Sequence, residues 1–170
     1  GDRLKELYPF AKLAVGEALQ CPTLLDNGFG AHRIEGIGDK HVPWIHNIKN
    51  TDMVIAIDDE DSQNLLRLFN EKVGRDYLKE QGVDPELVDL LGYFGISGIA
   101  NLLCCIKMAK YYELTENDVL ATVMTDSAVM YQSRIKELQD EQGEYTHEKA
   151  ALHYNKHILD EKADNLLELR

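Results

Sequence analysis

Cysteine is scarce in this sequence. Its 170 residues hold three, Cys21, Cys104 and Cys105, two of them neighbours and none in a C-x-x-C pair. That is too few, and too oddly spaced, for a disulfide framework, so reduced thiols in packing roles are expected. Positive charge is scarce as well. Lys and Arg number 18 against 30 Asp and Glu, a net charge of −12, with no basic run and no alternation of aromatic with basic residues. Neither a nucleic acid nor an anionic membrane is therefore expected as a partner. No apolar run approaches the roughly 20 residues that cross a bilayer, and the opening Gly1-Asp2-Arg3-Leu4-Lys5-Glu6 does not read as a signal peptide. A cytoplasmic location is the expectation.

What is present suits one globular domain. Val119 to Ser127 is mostly apolar and β-branched without alternation, which fits an interior strand of a parallel sheet. Ligands gather outside the carboxyl ends of such strands, where Ser127 would stand. Lys12–Ala18 reads as a strand ending near Glu17, and Met53–Ile57 as a second buried strand. Asp58-Asp59-Glu60-Asp61 caps a helix that runs to about Gly74, because carboxylates in a first turn complement the helix dipole. Arg75–Leu91 reads as a polar insertion with one helix start, Asp84 followed by Pro85. Ser97, in the turn Gly95-Ile96-Ser97-Gly98, is placed to cap a helix over Ile99–Tyr112. Further helices follow over Ala128–Leu138 and from Thr146, with an interruption near Asp160. Strands alternating with helices imply an α/β fold, three layers αβα around a mainly parallel sheet. Only three strands are evident, so some are missed or lie elsewhere.

Between them runs His32–Lys49, irregular and punctuated by Gly36, Gly38 and Pro43; so long a structureless run tends to be functional. Gly28-Phe29-Gly30 and Gly36-Ile37-Gly38 each lack the third glycine of a dinucleotide fingerprint, Arg33 and His41 standing there instead. They still imply close backbone approach. His153 and His157 are four apart on an expected helix, but Tyr154-Asn155-Lys156 offers no metalloprotease glutamate and no third ligand is near in sequence. Solvated histidines are the reading, and no metal site is expected. His32, His41 and His46 share the irregular loop, in a cleft or simply in solvent. Ser127 has no G-x-S-x-G context for a hydrolase nucleophile; capping of the next helix is its structural alternative.

Three stretches carry a resemblance. His32-Arg33-Ile34-Glu35-Gly36-Ile37-Gly38 with Val42-Pro43 resembles the H-K-I-Q-G-I-G…V-P run of cysteine synthase and cystathionine β-synthase. Gly95-Ile96-Ser97-Gly98-Ile99-Ala100-Asn101 is similar to their G-I-S-S-G-A-N turn, and Thr125-Asp126-Ser127 with Tyr131 to their P-D-S or P-S-S segment and downstream tyrosine. The resemblance is to the tryptophan synthase β-like, fold type II family of pyridoxal-phosphate enzymes. It covers about Leu13–Leu138.

That resemblance implies a partial large domain over residues 1–138, including the 75–91 insertion, and a C-terminal helical extension over 139–170. By it, Ser127 would hydrogen-bond the pyridine nitrogen of pyridoxal 5'-phosphate, with Gly36 and Gly38 beside the cofactor plane. Glu17 and His41 would face the substrate, a small amino acid. No lysine here, Lys40 and Lys49 included, has the family's Schiff-base motif, and no glycine-rich phosphate loop is present. The expectation is thus the C-terminal part of a longer lyase or transferase catalysing α,β-elimination or β-replacement, without turnover alone. Such a piece would self-associate as a homo-oligomer. The alternatives are the β subunit of a two-component enzyme, such as an amino-ketoacid thiolase or a threonine-synthase-like enzyme with a second subunit, and a cofactor-free α/β interaction module.

Overall fold

The computed structural model describes residues 1–170. Its elements are helix α1 (Asp2–Leu7), strands β1 (Ala14–Ala18) and β2 (Met53–Ile57), helices α2 (Asp59–Asn70), α3 (Lys72–Glu80), α4 (Pro85–Leu90), α5 (Ile96–Tyr111), α6 (Gln132–Gln142) and α7 (His147–Tyr154), and strand β3 (Leu166–Glu168). The sheet has the order β1-β2-β3. β1 runs parallel to β2 with Ala14 opposite Met53, and β3 returns antiparallel with Leu166 opposite Ile55.

β2 is the expected buried strand: every side chain from Met53 to Ile57 is at most 1% exposed. Its continuous apolar run suits a strand covered on both faces. α5 packs against both β1 and β2 and against α2, and a single core gathers Ile55, Leu65, Leu68, Ile99 and Leu103. α2 begins as its acidic start implies, with the Asp58 carboxylate accepting from the Glu60 N–H at 2.8 Å.

Several expectations need correction. Val119–Ser127 is not a strand: the segment is unpaired, with Val119 91% and Val123 66% exposed. Its β-branched content suits a strand, but a strand needs a hydrogen-bonded neighbour, and an open apolar groove lies between this segment and β1. The long helix expected after Asp58 breaks at Glu71, which takes extended geometry (φ −79°, ψ 143°). Arg75–Leu91 is no loose polar excursion either. It folds as α3 and α4 and buries Tyr77, Leu78, Val88 and Leu91, because each amphipathic turn offers the core only one or two apolar positions. α5 starts earlier than expected, capped at Gly95, and takes Ser97 into its first turn. Asp84, Ser127 and Thr146 do cap their helices.

Two buried cations tie the outer helices on. Arg67 is fully buried in α2; it donates to Glu71 at 2.5 Å, to the Gly143 carbonyl at 2.9 Å and to Gln142 at 3.1 Å, with its guanidinium over the Tyr145 ring. Lys107 of α5 reaches Asp164 at 2.5 Å and Glu161 at 3.4 Å, so residues 139–170 are fastened to the body by buried charge as well as by the β3 ladder. No helix is long and apolar enough to cross a membrane.

Removing one partner of a buried charge network strands the others without compensation. Arg67→Ala is therefore expected to lower the unfolding free energy by about 3 kcal/mol in urea titration. A loss below about 1 kcal/mol, the range of an exposed ion pair, would show that the network contributes little.

Candidate functional site

The irregular loop folds back on the amino end of α5. Gly36 and Gly38 have φ of +95° and +85°, the region that favours glycine. A Cβ on Gly36 would stand 3.4 Å from the Ser97 hydroxyl, and one on Gly38 would stand 3.0 Å from His32 Nε2. Thus the bend lies beside the first turn of α5 at Gly36, with space for a Cβ and no more between them. His32 Nε2 lies 3.1 Å from the Gly38 carbonyl, while its Nδ1 is buried without a protein partner.

Beside the bend is a hydroxyl and carboxylate cluster. The hydroxyls of Ser97 and Thr125 are 2.6 Å apart, and Ser97 donates to Asp126 Oδ1 at 3.5 Å. The Tyr131 hydroxyl donates to the other Asp126 oxygen, and burial together with that carboxylate pushes its phenol up to about 12. The Gly95 N–H donates to the Asp126 carbonyl at 3.0 Å. A Cβ on Gly95 would fall 2.0 Å from Asp126 Oδ1, so this turn admits only glycine while the aspartate stays in place.

Ser127 lies on the same segment but faces away. Its hydroxyl donates to the Gly92 carbonyl at 3.0 Å and accepts from the Val129 N–H at 3.3 Å, the capping arrangement. One proton and two lone pairs are all a serine hydroxyl has, so the proton is committed here and one lone pair is spare. The structure therefore sets Gly36 beside Ser97, joins Ser97 to Thr125 and Asp126, and turns Ser127 toward Gly92.

Glu17 sits at the end of β1 and is 4% exposed. Its carboxylate accepts from the Leu24 and Leu25 N–H groups at 2.9 and 2.8 Å, which shapes the loop after β1. With Gly36, Gly38, His32 and His46 it lines a cleft of ≈ 420 Å³, and His41 stands exposed at the rim beside Asp39. Neither lysine nor arginine lines that cleft. All three cysteines are free; burial pushes the Cys104 thiol up to about 12, so it is no nucleophile at neutral pH. The residue pair Thr125 and Asp126 was visible in the sequence only as flanking letters of the Ser127 motif. The histidines read as solvated are not: His157 is fully buried and His153 is 8% exposed, with His153 Nδ1 3.0 Å from the Tyr145 hydroxyl.

The sheet and the helices packed on it make an α/β fold. Two solved structures share it over nearly all of this chain. One is hydrogen sulfide-producing enzyme from Fusobacterium nucleatum (TM-score 0.56, 22% identity, 99% of this chain and 43% of that one). The other is a mutant of hydrogen sulfide-producing enzyme in complex with an α-aminoacrylate intermediate (TM-score 0.58, 21% identity, 100% of this chain and 41% of that one). In sequence the chain is similar to cysteine synthase B of Campylobacter jejuni, 28% identical over 133 residues, or 78% of this chain and 38% of that protein. The chain thus spans less than half the length of each of these relatives. No family model matches it.

Forcing a Cβ onto the bend should strain it whether or not a ligand is bound. Gly36→Ala is expected to cost about 1–3 kcal/mol by denaturant unfolding. Wild-type stability in that variant would mean the turn relaxes to negative φ at no cost.

Proposed function

We propose that this chain forms one wall of the active site of a pyridoxal-phosphate-dependent lyase or transferase acting on a small amino acid by α,β-elimination or β-replacement. The observation that carries the reading is the contact of the Gly36 bend with the Ser97 turn, closed by Thr125, Asp126 and Tyr131. Three stretches far apart in sequence, the ones that carry the resemblance to cysteine synthases, meet at one place.

The fit to the cofactor is partial and informative. Positive-φ glycines leave a bare backbone face against which a flat ring can lie. Hydroxyls at 97, 125 and 127 supply a neutral partner for a ring nitrogen. The cleft offers no lysine for the aldehyde and no cation for the phosphate, so both must come from other residues of the enzyme. When bound, the cofactor supplies an electron sink for the carbanion at the amino acid's Cα.

The residues of this chain set the character of that sink. A serine or threonine hydroxyl does not keep a proton on a ring nitrogen as a carboxylate would, and the weaker sink suits elimination and replacement at the β carbon. Ser127 takes this part by rotating its hydroxyl from the Gly92 carbonyl, while its lone pair continues to cap Val129. Asp126 is kept from the ring because its oxygens are held by Tyr131 and Ser97.

Spectroscopy on the full-length gene product tests the reading. Wild-type protein should carry a visible cofactor band that borohydride abolishes, and should release the β substituent of a small amino acid. Ser127→Ala should shift that band and slow turnover, beyond the roughly 1 kcal/mol lost with a helix cap. Full-length protein with no bound cofactor would sink the proposal, and an unshifted band in the variant would take the nitrogen-partner role from Ser127. The 170-residue chain alone should show no borohydride-sensitive band.

Self-association follows from the same fold. The outer edge of β1 has no strand partner, and Phe10 and Val119 are exposed beside it. An unpaired edge bordered by apolar surface recruits another chain, and each copy carries the same edge. Light scattering should find a dimer or larger; a monodisperse monomer would contradict this.

A further inference from the structure

Away from the glycine bend, α2 and the turn after α7 bring three ligand-type side chains together. After α7 the chain continues through a wide π turn, Asn155–Leu159, which carries His157 inward. The donor atoms of His157, of Asp61 in the first turn of α2, and of Glu161 lie within 4.8 Å of one another. His157 is fully buried and Glu161 is 6% exposed. His157 Nδ1 has no hydrogen-bond partner although both carboxylates stand close to it.

The spacings decide between two accounts. His157 Nδ1 lies 3.4 Å from Asp61 Oδ1 and 3.8 Å from Glu161 Oε2. A charge-assisted hydrogen bond from an imidazolium would close to about 2.8 Å. Two ligands of one tetrahedral zinc, each about 2.1 Å from the metal, stand about 3.4 Å apart. The observed separations are too long for the first arrangement and close to the second.

We propose that His157 Nδ1, Asp61 and Glu161 bind one divalent cation of the zinc class. His157 Nε2 sits 3.3 Å from Asn64 Nδ2; turning that amide over puts its oxygen on Nε2, so that Nε2–H becomes the donor and Nδ1 keeps the free lone pair. Lys107 meets the far oxygen of Glu161, Oε1, and thereby leaves Oε2 to the metal. Lys156 is half-exposed and 3.4 Å from Asp61 Oδ1, free to swing out as the cation enters. A cleft of ≈ 540 Å³ lined by Asp61, Asn155, Asp160 and Glu161 gives access and room for a water as fourth ligand. An imidazole with two carboxylates selects a transition ion over magnesium or calcium. His153 is not among the clustered ligands, and its Nδ1 pairs with the Tyr145 hydroxyl. The site staples residues 157–161 to α2 and is independent of the catalytic reading above.

Zinc titration of the metal-free chain, followed by calorimetry and thermal melting, tests this. One equivalent should bind and raise the melting temperature, and magnesium at the same concentration should do neither. Asp61→Asn, on the solvent side of the cluster, should stay folded by circular dichroism and bind zinc about tenfold or more weakly; His157→Gln should lose the site. No zinc binding in the wild type would overturn the proposal. So would equal binding in both variants, which would place the metal on other histidines or cysteines, as would an Asp61→Asn variant whose stability changes with no dependence on zinc.

Discussion

Strand β2 must be dry on both sides, and most of the fold answers to that need. Met53, Ile55 and Ile57 point to one face and join the core of α2 and α5; Val54 and Ala56 point to the other and are buried to the same degree. A strand of five apolar residues gives up its backbone to a ladder on either side, so it needs two partner strands and two covers. β1 supplies one ladder in parallel and β3 the other in antiparallel. β3 arrives from the far end of the chain, and its return fixes the path of residues 139–170. Arg67 and Lys107 then act as buried rivets along that path.

Legibility in the sequence followed how local each signal is. β2 was readable because its burial is written into every residue, and the caps at Asp58, Asp84 and Thr146 because each involves a side chain and an N–H two or three residues away. Val119–Ser127 was misleading for the opposite reason. Its residues state that it would suit a sheet, but a ladder is a property of two chains, and letters on one segment cannot report the other. β3, three residues whose partner lies more than a hundred positions earlier, gave no periodicity to read. Arg75–Leu91 looked polar because only a few positions per helix face inward, and those few, Tyr77, Leu78, Val88 and Leu91, were diluted among charges.

The site shows the same division. Gly36 and Gly38 were legible as backbone requirements, and both do adopt positive φ. What they approach was not, because the contact with Ser97 depends on how α5 is seated against the sheet. Ser97 read as a cap for its spacing before the apolar helix; instead the helix begins one residue after Gly95 and the hydroxyl turns sideways to Thr125. The buried histidine at 157 escaped because its carboxylate neighbours come one from α2 and one from a turn later. Helical spacing to His153 was the wrong pairing to examine.

The hydroxyl-bearing segment Thr125–Ser127 raises a final point about how such a wall can serve a ligand. Every polar group in it already has a partner: Thr125 has Ser97, Asp126 has Tyr131, and Ser127 has Gly92 and Val129. A satisfied network costs nothing to bury, whereas a half-satisfied one is expensive. A ligand must therefore exchange bonds one for one. Ser127 can do so most cheaply, because rotating its hydroxyl releases only the Gly92 carbonyl, which keeps its second lone pair for water, and leaves the cap on Val129 intact. Asp126 cannot be drawn away without stranding the Tyr131 hydroxyl, whose proton it accepts. In the proposed reading the network would offer an incoming ring a neutral hydroxyl and withhold the carboxylate one residue away, a choice made by hydrogen-bond topology and not by which side chain stands nearer.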